Sequence, residues 1–179
     1  MNAISKKTGV FFGFVLALYY VLANVISFFY DATLFTKPVF GIFNMSIVLT
    51  LGVLCVWITK RKLNNQLTFK NGFAAYFVMI CIGFIANQIT IFILFNFVNP
   101  EFKEINNQLM LELAHANLIA LDLEPEAIEA QMAAARAIDN FATKNLIYSL
   151  AGSLLRGSLA GLLIALIFKN KSEVTALNK

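Results

Sequence analysis

Four stretches of the chain run apolar almost without interruption: Gly9 to Tyr30, Val39 to Thr59, Phe73 to Val98 and Leu146 to Phe168. An α-helix rises about 1.5 Å per residue, so roughly 20 residues cross a 30 Å hydrocarbon layer. Each stretch reaches that length, and each predicts a transmembrane helix. Lys6 and Lys7 ahead of the first stretch are how a signal peptide begins, but the run that follows has the length of an anchor. Pro38 stands just before the second stretch, where its missing N–H costs a helix nothing, so Asp31 to Pro38 is expected to be a tight connection.

Between the third and fourth stretches the pattern changes. Phe102, Ile105, Leu109, Leu113, Ala116 and Ala120 recur by threes and fours, which is helical spacing. Glu124-Pro125 then reads as a second helix start, with Glu126 and Glu129 near its positive pole. Ile128, Met132, Ala135, Ile138 and Ala142 would form its apolar side. A fifth span through Leu109 to Leu121 is excluded by Glu112, His115 and Asn117. The fold class expected is all-α: an integral membrane four-helix bundle with spans 9–30, 39–59, 73–98 and 146–168. A single membrane domain covers 1–179, and an acidic extracytoplasmic helical hairpin over 99–144 extends spans three and four out of the bilayer.

Composition strengthens this reading, since 59% of the 179 residues are hydrophobic and 13% charged, more apolar surface than one soluble core of that size needs. The charges are also sorted by side. Lys6, Lys7, Lys60, Arg61, Lys62 and Lys70 fall on one side, together with Lys169, Lys171 and Lys179. The opposite side holds only Lys37, Lys103, Arg136 and Lys144, although it contains the longest loop. The positive-inside rule then places both termini in the cytoplasm, and the expected location is a bacterial inner membrane. Because the basic residues flank apolar runs and make no basic face with interleaved aromatics, the net charge of +4 does not point to nucleic acid. Tyr30 and Tyr148 fall at the expected outer interface, Trp57 and Tyr76 near the inner one. Cys55 and Cys81 lie in apolar runs as small hydrophobes, implying neither a disulfide nor a metal site.

Arg156 is the residue with the most to say about chemistry. It falls near the middle of the last span, where a charge costs about 2.5 to 3.5 kcal/mol on insertion scales. No span offers it an internal carboxylate, so amides, carbonyls, water or a bound anion must serve. Counted inward from the outer boundary, Asn87, Gln88 and Arg156 share one depth, about 16 Å. Asn24 and Asn44 also fall in the outer half, and the inner halves are almost wholly apolar. Two readings follow: a polar cavity open to the outside in which Arg156 attracts an anion, or a structural tie in which Arg156 donates to Asn87 and Gln88 or snorkels outward.

The last span also carries Ser149, Ser153, Gly157, Gly161 and Ala165 at every fourth position, a stripe that lets another backbone approach closely. It serves packing within the bundle or a homodimer. His115, the single histidine, lacks the further imidazole or thiol that a zinc site needs. No Ser/His/Asp set, phosphate loop or carboxylate pair at membrane depth is present, so neither an enzyme nor a cofactor is expected. The carboxylates of the hairpin read as the solvated face of a helix, or as a surface that recruits a partner.

Leu67-Thr68-Phe69-Lys70-Asn71-Gly72-Phe73, Asn99-Pro100-Glu101-Phe102 and a glycine-rich last span ending in Lys169-Asn170-Lys171 give the chain a resemblance to a bacterial family of small four-span inner-membrane proteins catalogued as a domain of unknown function. The resemblance covers nearly the whole chain and implies the same architecture, with two helices between spans three and four. It implies no activity, and none of its motifs is catalytic. The expected role is lipid or partner binding, or a structural part of the envelope, with membrane lipids, a second copy or an envelope protein as partners. The alternative is a small carrier for an anionic or lipidic ligand, built around Arg156.

Overall fold

The computed structural model describes residues 2–170, which form six α-helices. They are α1 (Ala3–Asp31), α2 (Pro38–Lys62), α3 (Phe69–Ile93), α4 (Pro100–Ala120), α5 (Pro125–Arg136) and α6 (Thr143–Phe168). Four helical stretches are long and apolar enough to cross a membrane: α1, α2, α6 and the run Phe69–Val98, in which a π turn over Leu94–Val98 continues α3. The expected four spans and the helices between the last two are present. α1 and α6 begin several residues before their apolar runs, so Lys6 and Lys7 lie within the first two turns of α1.

One end of the bundle is tied together by asparagines. Lys60, Arg61 and Lys62 close α2, where cations favour the negative pole of the helix. Asn64 and Asn65 then turn the chain in the left-handed region, with φ of 53° and 63°, a conformation asparagine tolerates better than most residues. Thr68 caps α3 by accepting from the Asn71 N–H at 3.2 Å. The Asn170 carboxamide donates to the Asn65 carbonyl at 2.7 Å, and the Asn170 N–H donates to the Leu67 carbonyl at 3.0 Å. Asn2 adds its N–H to the Asn71 side chain at 3.3 Å. The start of α1, the α2–α3 turn and the end of α6 therefore meet at one face. Lys6, Lys7, Lys60, Arg61, Lys62, Lys70 and Lys169 lie toward that end, while Lys171 and Lys179 lie outside the described residues.

At the opposite end the 31–38 connection is more than a tight link. It holds a 3-10 turn, Ala32–Thr36, capped by Asp31, which accepts from the Thr33 N–H at 2.9 Å and pairs with Lys37 at 2.8 Å. Asn99 caps α4 through the Glu101 N–H at 3.1 Å, with Pro100 in the first turn. The face of α4 that packs is not the expected stripe. Phe102 and Met110 pack against a cluster of Phe28, Leu94, Phe95 and Phe141, and Asn106 between them is fully buried, whereas Ile105 and Leu113 are exposed. Phe28, Phe35 and Phe141 surround Phe95 at 5.2, 5.1 and 4.1 Å between ring centres, so aromatic contacts select this face. α5 stops at Arg136, leaving Ile138 and Ala142 outside any helix, so breaks at Asn99 and over 137–142 separate the hairpin from the spans. Polar side chains bridge the second break. Lys103 pairs with Asp139 at 2.6 Å, Asn107 donates to Asp139 at 3.2 Å, and Asn96 donates to the Phe141 carbonyl at 3.0 Å.

Within the spans, α3 is the central helix, with α1 on one side and α6 on the other, and α2 touches all three. α1 approaches α3 closely because Gly9 faces the Ala75 carbonyl, Gly13 faces Ile82 and Gly83 faces Leu16. Tyr76 corrects an expectation. It is not at an interface but fully buried, its ring wedged between Gly52 of α2 and Gly161 of α6 so tightly that a β-carbon at either would strike it. Trp57, by contrast, is part-exposed with the Arg61 guanidinium 4.0 Å over its ring.

Two predictions follow from these contacts. Gly161→Ala should lower stability in detergent by about 1–3 kcal/mol through overpacking, and pairing it with Tyr76→Leu should recover part of that loss in a double-mutant cycle of thermal unfolding. For Asp139, burial pushes the carboxyl up, but hydrogen bonds from Lys103, Asn107 and the Phe141 N–H outweigh it and hold the group below its ordinary value. A carboxyl depressed in the folded state stabilises above its unfolded value and loses that contribution as pH falls through the folded one. Hydrogen exchange over 99–142 should therefore accelerate below about pH 4 in the wild type, and Asp139→Asn should remove that acid-dependent step.

Candidate functional site

The register between α3 and α6 decides what Arg156 can reach. Tyr76 packs on Gly161, Ile80 on Gly157, and Gln88 donates to Ser149 at 3.3 Å, so each advance of four along α3 is a retreat of four along α6. In that register Arg156 stands opposite Cys81, not Asn87. Six residues of helix put its backbone about 9 Å inward of the level expected for it. The side chain makes up part of the difference. Helical side chains lean toward the N-terminus of their helix, which for α6 is the end bearing the hairpin. The guanidinium therefore climbs over Gly152, where a β-carbon would lie 3.4 Å from Nη1, and donates to Ser153 Oγ at 3.4 Å. It makes no hydrogen bond to Asn87 or Gln88 and is exposed, so the expected tie between helices is absent and the outward climb is what occurs.

That climb brings Arg156 to the wall of a cleft of about 450 Å³ between α2, α3 and α6, with Tyr20 of α1 also in its lining. Asn44 from α2, Asn87 and Gln88 from α3 and Ser153 from α6 line it as well. Hydrogen bonds orient the amides. Asn24 donates to Asn87 Oδ1 at 2.8 Å and the Tyr19 hydroxyl donates to Asn44 Oδ1 at 2.7 Å. The carboxamide oxygens are thereby occupied, and the NH2 groups of Asn44 and Asn87 remain without a partner among the described residues. Asn24 itself is 2% exposed and stands behind Asn87, supporting the cleft from α1 without lining it. Gln88 spends its NH2 on Ser149 and leaves Oε1 buried and unpaired. The result is a set of donors, one cationic, beside few free acceptors. Such a set recognises an anion.

Beyond the polar rim the lining becomes apolar, with Val48, Leu49, Phe84 and Ala160, and the Tyr76 ring closes the bottom. Spacing within single spans gave no reason to group these residues with Arg156, since they come from three helices. Gly41, at the mouth, carried a readable signal: a glycine inside an apolar helix.

The small-residue stripe of α6 is the α3-facing seam of the bundle. Gly157 and Gly161 receive Ile80, Phe84 and Tyr76, Ser149 meets Gln88, and Ala165 approaches Gly72. That face is covered within one chain. His115 is exposed on α4, and among the described residues no three of His, Cys, Asp and Glu are grouped to hold a metal ion.

Neither a curated protein nor a solved structure matches the chain. A family model does, described as a protein of unknown function (DUF4199), over residues 8–170. Those bounds run from the second turn of α1 to the asparagine that staples the end of α6, and on that match this four-span helical chain belongs to the DUF4199 family.

Proposed function

We propose that the protein is a membrane-embedded binding protein that holds an anionic group at Arg156, and that it sits in a bacterial inner membrane with both termini in the cytoplasm. One observation carries the binding reading: a guanidinium at membrane depth, on a cleft wall, whose sole acceptor among the described residues is one hydroxyl at 3.4 Å. A charge so placed is costly unless compensated, and the spare NH2 groups around it favour the same ligand charge. The orientation rests on the cationic end formed by the chain start, the α2–α3 turn and the α6 end.

Binding without catalysis is favoured by the character of the rim, where amides and hydroxyls orient a ligand but do not exchange protons near neutral pH. Carriage across the membrane is disfavoured by the Tyr76 wedge, which fills the space between α2 and α6 below the cleft. A second reading, docking of a partner protein or a second copy, draws on the hairpin, where Ile105, Leu113, Ile119 and Leu121 are exposed outside the spans.

Arg156→Leu tests the first reading. The purified variant should be at least as stable in neutral detergent as the wild type, because a poorly compensated charge has been removed. Dioleoyl phosphatidylglycerol should raise the unfolding temperature of the wild type and leave that of the variant unmoved. A variant that loses several kcal/mol of stability, as breakage of a buried charge network would produce, while still responding to the lipid would refute the reading.

A further inference from the structure

The chain has nine glycines, and packing accounts for seven of them. A β-carbon at Gly9, Gly13, Gly52, Gly72, Gly83, Gly157 or Gly161 would press on atoms of another helix or of the loop before α3. Gly41 and Gly152 differ. Around a β-carbon at Gly41 there is nothing within 4 Å, and at Gly152 there is only the guanidinium of Arg156. Glycine inside a helix is destabilising relative to alanine, so these two positions carry a cost that helix packing does not explain.

Gly41 lines the Arg156 cleft from α2. Gly152 does not line it but lies beneath the guanidinium on α6, leaving room for that group at the cleft wall. In the inner half α2 and α6 are joined through Tyr76, with Ile164 3.5 Å from where a Gly52 β-carbon would be. In the outer half no hydrogen bond joins them among the described residues, and Gly41 and Met45 line the cleft while being exposed. Since both helices are spans, a gap between them faces lipid. The cleft combines the cationic and amide groups of Arg156, Asn44, Asn87 and Gln88 with apolar Val48, Leu49 and Phe84. A free anion would leave the apolar part empty. A molecule with an anionic head and a hydrocarbon chain would use both.

We infer that Gly41 keeps open a lateral mouth between α2 and α6, through which a membrane amphiphile with a carboxylate or phosphate head reaches Arg156, whose guanidinium Gly152 accommodates, and lays its chain in the apolar part of the cleft. The inference rests on the binding reading of Arg156 and adds to it the class of ligand and its route.

The test uses the full chain in phosphatidylcholine nanodiscs, with oleate as the amphiphilic probe and acetate and inorganic phosphate as soluble anions. Retention is read by native mass spectrometry and folding by circular dichroism. Wild type should retain oleate and neither soluble anion. Gly41→Trp and Met45→Trp should each weaken oleate retention by about tenfold or more with helicity and unfolding temperature preserved. Should Gly41→Trp fail to fold, Met45→Trp decides, because it enlarges a side chain that is already exposed. Retention of oleate by both tryptophan variants at wild-type strength overturns the lateral mouth, and acetate or phosphate bound as tightly as oleate, or oleate not retained by the wild type, overturns the ligand class. The binding reading fails separately, if Arg156→Leu retains oleate as the wild type does.

Discussion

The ring of Tyr76 between Gly52 and Gly161 is the contact on which the bundle's geometry turns. An aromatic side chain on the central helix is wide enough to hold two others apart, yet the two glycines let both backbones close on opposite edges of its ring. Van der Waals contact is the main attraction available to helices in lipid, because surrounding acyl chains are as apolar as leucine. A flat ring against two bare backbones maximises it. The wedge has a second consequence. It closes the inner half of the α2–α6 gap and so supplies the bottom of the cleft above it, which makes the site a pocket and not a channel.

The spans were readable because bilayer thickness imposes a length and a composition that no soluble element shares. The contacts between spans were not, because four apolar helices of similar character can be aligned in many registers with equal plausibility. Arg156 shows the size of that gap. Counting from span ends put its backbone level with Asn87, but packing of glycines on Tyr76 and Ile80 sets it six residues deeper, and only the outward lean of a long side chain restores the proximity. Tyr76 shows the same blindness from the other direction. A tyrosine near the end of an apolar run reads as interfacial, and nothing local announces that glycines 24 residues before it and 85 after it will enclose its ring. On α4, periodicity identified a helix but did not say which face would be covered. Aromatic rings contributed by α1, by the π turn and by the 137–142 segment decide which side is covered, and they bury an asparagine.

The residues behind the family resemblance turn out to be architectural. Thr68 caps α3, Asn71 receives the start of the chain, Gly72 admits Val56 and Ala165, and Asn170 staples the last span to the α2–α3 turn. Asn99 caps α4 and Phe102 joins the outer aromatic cluster. None of these six lines the cleft, although Gly157 of the glycine-rich last span does. Membership of the family is therefore mainly a statement about scaffold.

Energetics weigh on that question through Arg156. A guanidinium at this depth costs on the order of 2.5–3.5 kcal/mol, while one long hydrogen bond to a serine hydroxyl contributes about 1 kcal/mol or less. Among the described residues no carboxylate pairs with it to make up the difference. Structural glue would be expected to show the opposite pattern, with the charge saturated by neighbouring acceptors. Instead two nearby acceptors are spent on other donors, Asn87 on Asn24 and Asn44 on Tyr19, and apart from the unpaired Gln88 Oε1 what remains facing the cleft is mostly donor capacity. A site whose own groups leave positive charge and N–H unpaired is complementary to something negative. The apolar space beneath it limits that something further, because water filling the same volume would find few partners on Val48, Leu49 and Phe84.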